Sequence, residues 1–140
     1  MLSSTQQQYG GQSVVTRILL VDDDLHLVPL IQRGLAYEGF EVYTAMDGES
    51  GLAAVRQHRP HIVLLDIAMP GPDGFEVCRR LRATERGKSV PILMCTVRSA
   101  LSTVAAGFEA GATGYVLKPF EMEELLESVA DALKKARPSA

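Results

Sequence analysis

From Arg17 onward the chain alternates between two apolar patterns. Short, nearly unbroken runs recur at Ile18 to Val21, Val42 to Ala45, Ile62 to Leu65, Ile92 to Cys95 and Tyr115 to Leu117. Runs with no alternating polar partner predict strands buried on both faces of a sheet. The stretches between them carry helical spacing instead. Leu27, Ile31 and Leu35 share one face and are followed by Gly39; Leu52 and Val55 form a shorter stripe; Phe75, Cys78 and Leu81 form a third. Ser99 to Ala110 is the least amphipathic stretch, because Ala, Ser, Thr and Gly offer little contrast. The final stripe is Met122, Leu125, Val129 and Leu133, with Glu121, Glu123 and Glu124 at its positive dipole end and Lys134, Lys135 and Arg137 before Pro138. Five strands alternating with five helices predict an α/β fold, a doubly wound parallel sheet with right-handed crossovers and no second domain.

Composition narrows this further. The 140 residues suit one domain with its own core. The domain is read as 17–137, flanked by a Ser-, Gln- and Gly-rich N-terminal tail at 1–16 and a short C-terminal tail at 138–140. Fourteen Lys plus Arg against seventeen Asp plus Glu leave a net charge of −3, which gives no footprint for direct nucleic-acid binding by this chain. No apolar run approaches a membrane span. The first basic residue is Arg17 and no apolar leader precedes it, so a cytoplasmic protein is expected. Two cysteines, Cys78 and Cys95, are too few for a disulfide framework and are read as reduced thiols.

In a doubly wound sheet the site is expected beyond the carboxyl ends of the strands. The residues that follow the apolar runs there are Asp22, Asp23 and Asp24 after the first, Asp66 after the third, Thr96 after the fourth and Lys118 after the fifth. Carboxylates gathered at one edge repel one another unless a cation joins them, and a hard divalent ion answers that need. Mg²⁺, with Mn²⁺ as a substitute, takes one or two carboxylates with waters and phosphate oxygens; no Cys or His accompanies the cluster, which argues against zinc. A carboxylate nucleophile, a hydroxyl, an ammonium and Mg²⁺ suit phosphoryl transfer. Asp24 reads better as a helix cap than as a ligand, and Pro70, Pro72, Asp73 and Gly74 as turn and cap chemistry. His26, His58 and His61 are scattered and are read as surface residues.

The segments RILLVDDDLHLV, HIVLLDIAMPGPDGFEVCRRLR, VPILMCTVRSA and AGATGYVLKPF, in that order from Arg17 to about Arg137, resemble the receiver domain of bacterial two-component response regulators, in particular the single-domain, chemotaxis-regulator-like kind. The resemblance implies a flavodoxin-like strand order of 2-1-3-4-5. It implies that Asp66 accepts the phosphoryl group, that Asp23, Asp66 and the backbone carbonyl of Ala68 ligate Mg²⁺, and that Asp22 acts through water. Thr96 and Lys118 would bind phosphoryl oxygens, the Lys118–Pro119 bond would be cis, and Tyr115 would work with Thr96 as a rotamer switch. The implied donor is a phosphohistidine on a histidine kinase or phosphotransfer protein. The implied receiver of the signal is a protein target or an output domain outside this chain, reached through the surface of the fourth helix, fifth strand and last helix. Such a domain is a switch that assists its own phosphorylation and dephosphorylation rather than a turnover enzyme.

Some positions depart from the family pattern. Val97 follows Thr96 where Ala or Gly is usual, which narrows access to an acyl phosphate. Arg98 and Ala68 occupy the variable positions that tune phosphoryl loss, and Gly114 and Ser128 lack the charges of the subclass that pairs through that last surface. Among rivals, a haloacid-dehalogenase-type Mg²⁺-dependent phosphatase would use D-x-D-x-T after the first strand. Asp22, Asp24 and His26 imitate the spacing, but the fifth residue is wrong and Asp66 is left without a task. A flavodoxin-like FMN binder needs Ser, Thr or Gly amides where this loop is acidic. A degenerate docking receiver is at odds with the complete set of site residues.

Overall fold

The computed structural model describes residues 15–69, 71–97 and 104–136. Within them the chain runs β1 (Arg17–Val21), α1 (Leu27–Tyr37), β2 (Glu41–Ala45), α2 (Gly48–His58), β3 (Ile62–Asp66), α3 (Gly74–Arg82), β4 (Ile92–Val97), α4 (Val104–Ala110), β5 (Gly114–Lys118) and α5 (Met122–Ala136). All strand pairings are parallel, and the sheet order is β2-β1-β3-β4-β5. This is the doubly wound fold and the strand order the sequence implied. Pro70, Arg98, the first part of the Ser99 to Ala110 helix, Arg137, residues 1–14 of the N-terminal tail and the C-terminal tail lie outside the described residues.

Central strands β1, β3 and β4 are buried along nearly their whole length, as unbroken apolar runs require. The expectation of two-faced burial fails at the edges. In β2 only Ala45 is buried and in β5 only Val116, because each strand has a neighbour on one side alone. Side chains alternate across the sheet into two cores. Leu19, Val21, Val63, Leu65 and Met94 meet α2 and α3 through Val55, Val77, Cys78 and Leu81. Ile18, Leu20, Leu64 and Cys95 meet α1 and α5 through Ile31, Leu35, Leu125, Val129 and Leu133. Each wholly buried side chain of that size contributes about 2 kcal/mol.

Local chemistry sets the helix starts. Asp47 and Ser50 form a capping box at α2, and Asp73 accepts from the Glu76 amide at 3.0 Å at the start of α3. Below the sheet, Arg82 folds back from α3. Its guanidinium donates to the carbonyls of Gly111 (2.9 Å), Gly87 (2.8 Å) and Val90 (2.5 Å), fastening three turns beneath β4 and β5. Thr16, just ahead of β1, is buried, and its carbonyl accepts from the Glu41 amide at 3.0 Å.

Two histidines read as surface residues have tertiary partners. His61 Nδ1 accepts from the Arg17 amide at 2.8 Å, and burial foremost, with the Arg17 charge, pulls its pKa below the ordinary histidine value. The His58 ring stacks on Tyr43 with centroids 3.9 Å apart. Only His26 is exposed.

Candidate functional site

The site forms where β1, β3, β4 and β5 end together. Asp22 continues β1 and is only 1% exposed; its amide donates to the Ala45 carbonyl at 3.0 Å, which fixes the turn. Its two carboxylate oxygens serve different partners: Oδ1 accepts from the Asp24 amide at 2.9 Å and Oδ2 from Lys118 Nζ at 2.7 Å. Lys118, at the end of β5, also lies 3.6 Å from Asp66 Oδ1. Asp66 ends β3, is 8% exposed, and accepts from the Ala68 amide at 3.3 Å. One carboxylate oxygen each from Asp22, Asp23 and Asp66 lies within 4.8 Å of the other two.

Electrostatics follow from that grouping. Burial foremost raises the pKa of Asp66, and the charges of Asp22 and Asp23 add to the rise against the opposing pull of Lys118. For Lys118, the desolvation that disfavours its charge is outweighed by the Asp22 hydrogen bond and the charges of Asp66 and Asp22, so its ammonium titrates above the usual lysine range. Three carboxylates face one ammonium, and no hydrogen bond or ion pair reaches the Asp23 carboxylate among the described residues. This all-oxygen donor set, with surplus negative charge and an uncommitted carboxylate, fits a hard divalent cation such as Mg²⁺. Cys95 lines the same cleft, but burial pushes its thiol up to about 12, so it stays protonated and is no ligand.

Above the carboxylates opens a cleft of about 250 Å³ whose walls include Asp66, Ala68, Thr96, Val97 and Lys118. Thr96 is 3% exposed, and its hydroxyl donates to the Val97 carbonyl at 3.3 Å rather than toward Asp66. Val97 stands at the mouth, 48% exposed. The Lys118–Pro119 peptide bond is cis. Tyr115 lies apart from this group: its hydroxyl donates to the Val104 carbonyl at 2.8 Å, and its ring meets Phe108 edge-on at 5.3 Å. The structure thus brings Asp22, Asp23, Asp66, Ala68, Thr96 and Lys118 to one strand-end edge and places Tyr115 on the flank of α4.

Asp24 does not join the cluster. Its Oδ1 accepts from the amides of His26 (2.9 Å) and Leu27 (3.0 Å), the entry turn of α1, and those bonds lower its pKa. A phosphatase of the D-x-D-x-T kind would need that carboxylate free. Sequence reasoning missed one supporting feature and read another, the Gly74 turn, correctly. Lys118 is held directly by Asp22, a long-range pair that nothing in sequence spacing marks. Gly74 lets the loop after Asp66 close, since a Cβ there would stand 2.7 Å from both the Asp66 carbonyl oxygen and Ile67 Cα. The DG pair opening a helix is the signal that carried it.

Comparison with known proteins bears on this arrangement. The family model described as response regulator receiver domain matches residues 18–130. Response regulator MprA of Mycobacterium leprae is 43% identical over 122 residues, covering 87% of this chain and 53% of its own length. The chain spans about half the length of the curated relatives it matches. A putative response regulator from Chloroflexus aurantiacus superposes with a TM-score of 0.82 at 37% identity, over 86% of this chain and 99% of that one. Chemotaxis protein CheY4 of Vibrio cholerae does so with a TM-score of 0.81 at 33% identity, over 85% and 99%.

Proposed function

The chain belongs to the response regulator receiver domain family of two-component signalling, and from that premise we propose that Asp66 accepts a phosphoryl group from a phosphohistidine on a partner histidine kinase or phosphotransfer protein. A carboxylate oxygen of Asp66 bonds to phosphorus as the N–P bond to the partner's imidazole breaks, and the imidazole leaves with that electron pair. Asp23, Asp66 and the backbone carbonyl of Ala68 would hold Mg²⁺, or Mn²⁺ in its place, with Asp22 reaching it through water. When bound, the ion neutralises charge on the transferring oxygens and draws the acid cluster together. Lys118 already lies 3.6 Å from Asp66, and its ammonium passes from Asp22 toward the incoming oxygens. Thr96 donates its hydroxyl to the same group once it turns from the Val97 carbonyl.

That turn is the switch. As Thr96 moves toward Asp66 it vacates space, the Tyr115 ring enters it, and the surface of α4, β5 and α5 changes for a protein target or an output domain. The donor docks over the cleft, where Leu25, Leu30 and Val97 are exposed and Leu27, Pro119 and Phe120 line an adjoining hollow of about 290 Å³. A cytoplasmic site of action suits such a partner, and no helix among the described residues is long and apolar enough to cross a membrane.

The observation that carries this reading is the Asp66 carboxylate at a strand end, beside Lys118 and within 4.8 Å of two further carboxylates. It is tested by incubating the protein with a small acyl phosphate and Mg²⁺, then measuring intact mass and mapping peptides. One phosphoryl group on Asp66 is expected. An Asp66→Asn protein that gains a stable phosphoryl group at the wild-type rate would sink it.

A further inference from the structure

We propose that Gly107, in the middle of α4, is the positioning residue that seats Tyr115 in the resting state and so sets how readily the switch turns; this rests on the switch reading above. The Tyr115 hydroxyl reaches across to the Val104 carbonyl, one turn ahead of Gly107. To do so it passes directly over residue 107. A Cβ built there would lie 1.6 Å from the Tyr115 hydroxyl oxygen and 2.7 Å from Cζ, with Phe75 Cε1 at 3.4 Å behind it. No side chain can coexist with this ring position, so the seat exists only because residue 107 has none.

Glycine in a helix interior weakens the helix, so local stability alone would favour Ala there. The Tyr115 seat explains the exception. The seat also belongs to the resting arrangement. The Thr96 hydroxyl is bonded to its own strand at the Val97 carbonyl, so the space the ring would enter on activation has not been vacated. Gly107 therefore sets the resting side of a two-state equilibrium from the far side of the ring, without touching the acidic cleft. Filling the seat removes a favourable contact from one state alone, and an equilibrium responds to that difference.

The test is Gly107→Ala, read by NMR of tyrosine-labelled protein and by titration with beryllofluoride and Mg²⁺ as the phosphoryl stand-in. In metal-free protein the Tyr115 ring signals of the variant should move toward the positions that wild type shows with beryllofluoride. The half-saturating beryllofluoride concentration should fall about fivefold, the worth of one net hydrogen bond. Tyr115→Phe, which removes only the hydroxyl, should lower the midpoint in the same direction and keeps the test decisive if α4 does not tolerate Ala. Combined, the two substitutions should gain less than their product, because each removes the same Tyr115–Val104 hydrogen bond. Wild-type ring signals and midpoint in Gly107→Ala would overturn the proposal, as would an equal Gly107→Ala effect in a Tyr115→Ala background, where no ring is left to displace, which would mark a plain helix effect. Wild-type Tyr115 signals that ignore beryllofluoride while it saturates Asp66 would instead remove the switch itself, and the proposal with it.

Discussion

Replacing Asp23 with Asn should make the metal-free protein more stable and abolish most of its response to Mg²⁺. The cleft gathers three carboxylates against one ammonium, with carboxylate oxygens within 4.8 Å of one another. Two unit charges at that distance repel by roughly 3.5 kcal/mol at an effective dielectric of about 20. Asp23 faces two carboxylates, and Lys118, paired with Asp22 at 2.7 Å, offsets one of them, so one repulsion is left uncompensated. Water and salt at the open rim screen about half of it or more, which leaves about 1.5 kcal/mol. In a domain of this size that corresponds to a rise in Tm of roughly 6 °C. Mg²⁺ should act on wild type in the same sense by another route: an ion bound only by the folded state stabilises it by about 2.7 kcal/mol at a hundredfold excess over Kd. The assay is urea unfolding at low ionic strength, first in EDTA and then across a Mg²⁺ titration. Asp23→Asn should unfold at higher urea than wild type in EDTA and lose that lead as Mg²⁺ saturates the wild type. A variant less stable than wild type in EDTA, with an unchanged m-value, would refute the electrostatic reasoning.

Two further outcomes concern the opposite end of the sheet. The folded-state pKa of His61 lies below its unfolded value, so the unfolded chain binds more protons and stability is full above about pH 6.5 and lost as pH falls through the lowered pKa; protonating Nδ1 also costs the Arg17 hydrogen bond. The wild-type loss of urea midpoint between pH 7 and pH 5 should shrink in His61→Gln, and an identical loss would remove His61 as a cause. Arg82→Met keeps the packed stem but strips the Gly87, Val90 and Gly111 carbonyls of their donor, and at about 1 kcal/mol for each it should cost about 3 kcal/mol in denaturant unfolding; a cost below 1 kcal/mol would show that water replaces the guanidinium freely.

The acid site was legible because its residues directly follow apolar runs, so their strand-end placement comes with the strands themselves. Asp66 after Ile62 to Leu65 and Lys118 after Tyr115 to Leu117 are the clearest cases. Asp24 was legible as a cap for a local reason, since an Asx side chain bonds amides two and three residues on. Edge position was not legible. Val42 to Ala45 reads like a central strand, yet β2 is exposed because of where topology puts it, and no local pattern encodes that. Long-range pairing was equally hidden. Arg79, Arg80 and Arg82 stand together in the chain, yet Arg79 and Arg80 pair with acids at the surface while Arg82 turns under the sheet. The partners of His58 and His61 are of the same kind, set by β2 and β1 rather than by neighbours in sequence.

The two ends of the sheet divide the labour of stability and function. At the amino ends, His61 accepts from a β1 amide, Arg82 satisfies three carbonyls, and the Thr113 hydroxyl accepts from the Ile92 amide at 3.0 Å, so polar groups there are matched and lock the turns. At the carboxyl ends, like charges are held together with one ammonium among them, and Thr96 spends its hydroxyl on its own strand. That arrangement stores repulsion, and repulsion is what a bound cation can relieve. A cleft neutralised in advance would be more stable and would have less to gain from a cation. The frustration at the carboxyl edge and the satisfied lattice at the amino edge are therefore one design: the second supplies the stability margin that lets the first hold unneutralised carboxylates where a cation can use them.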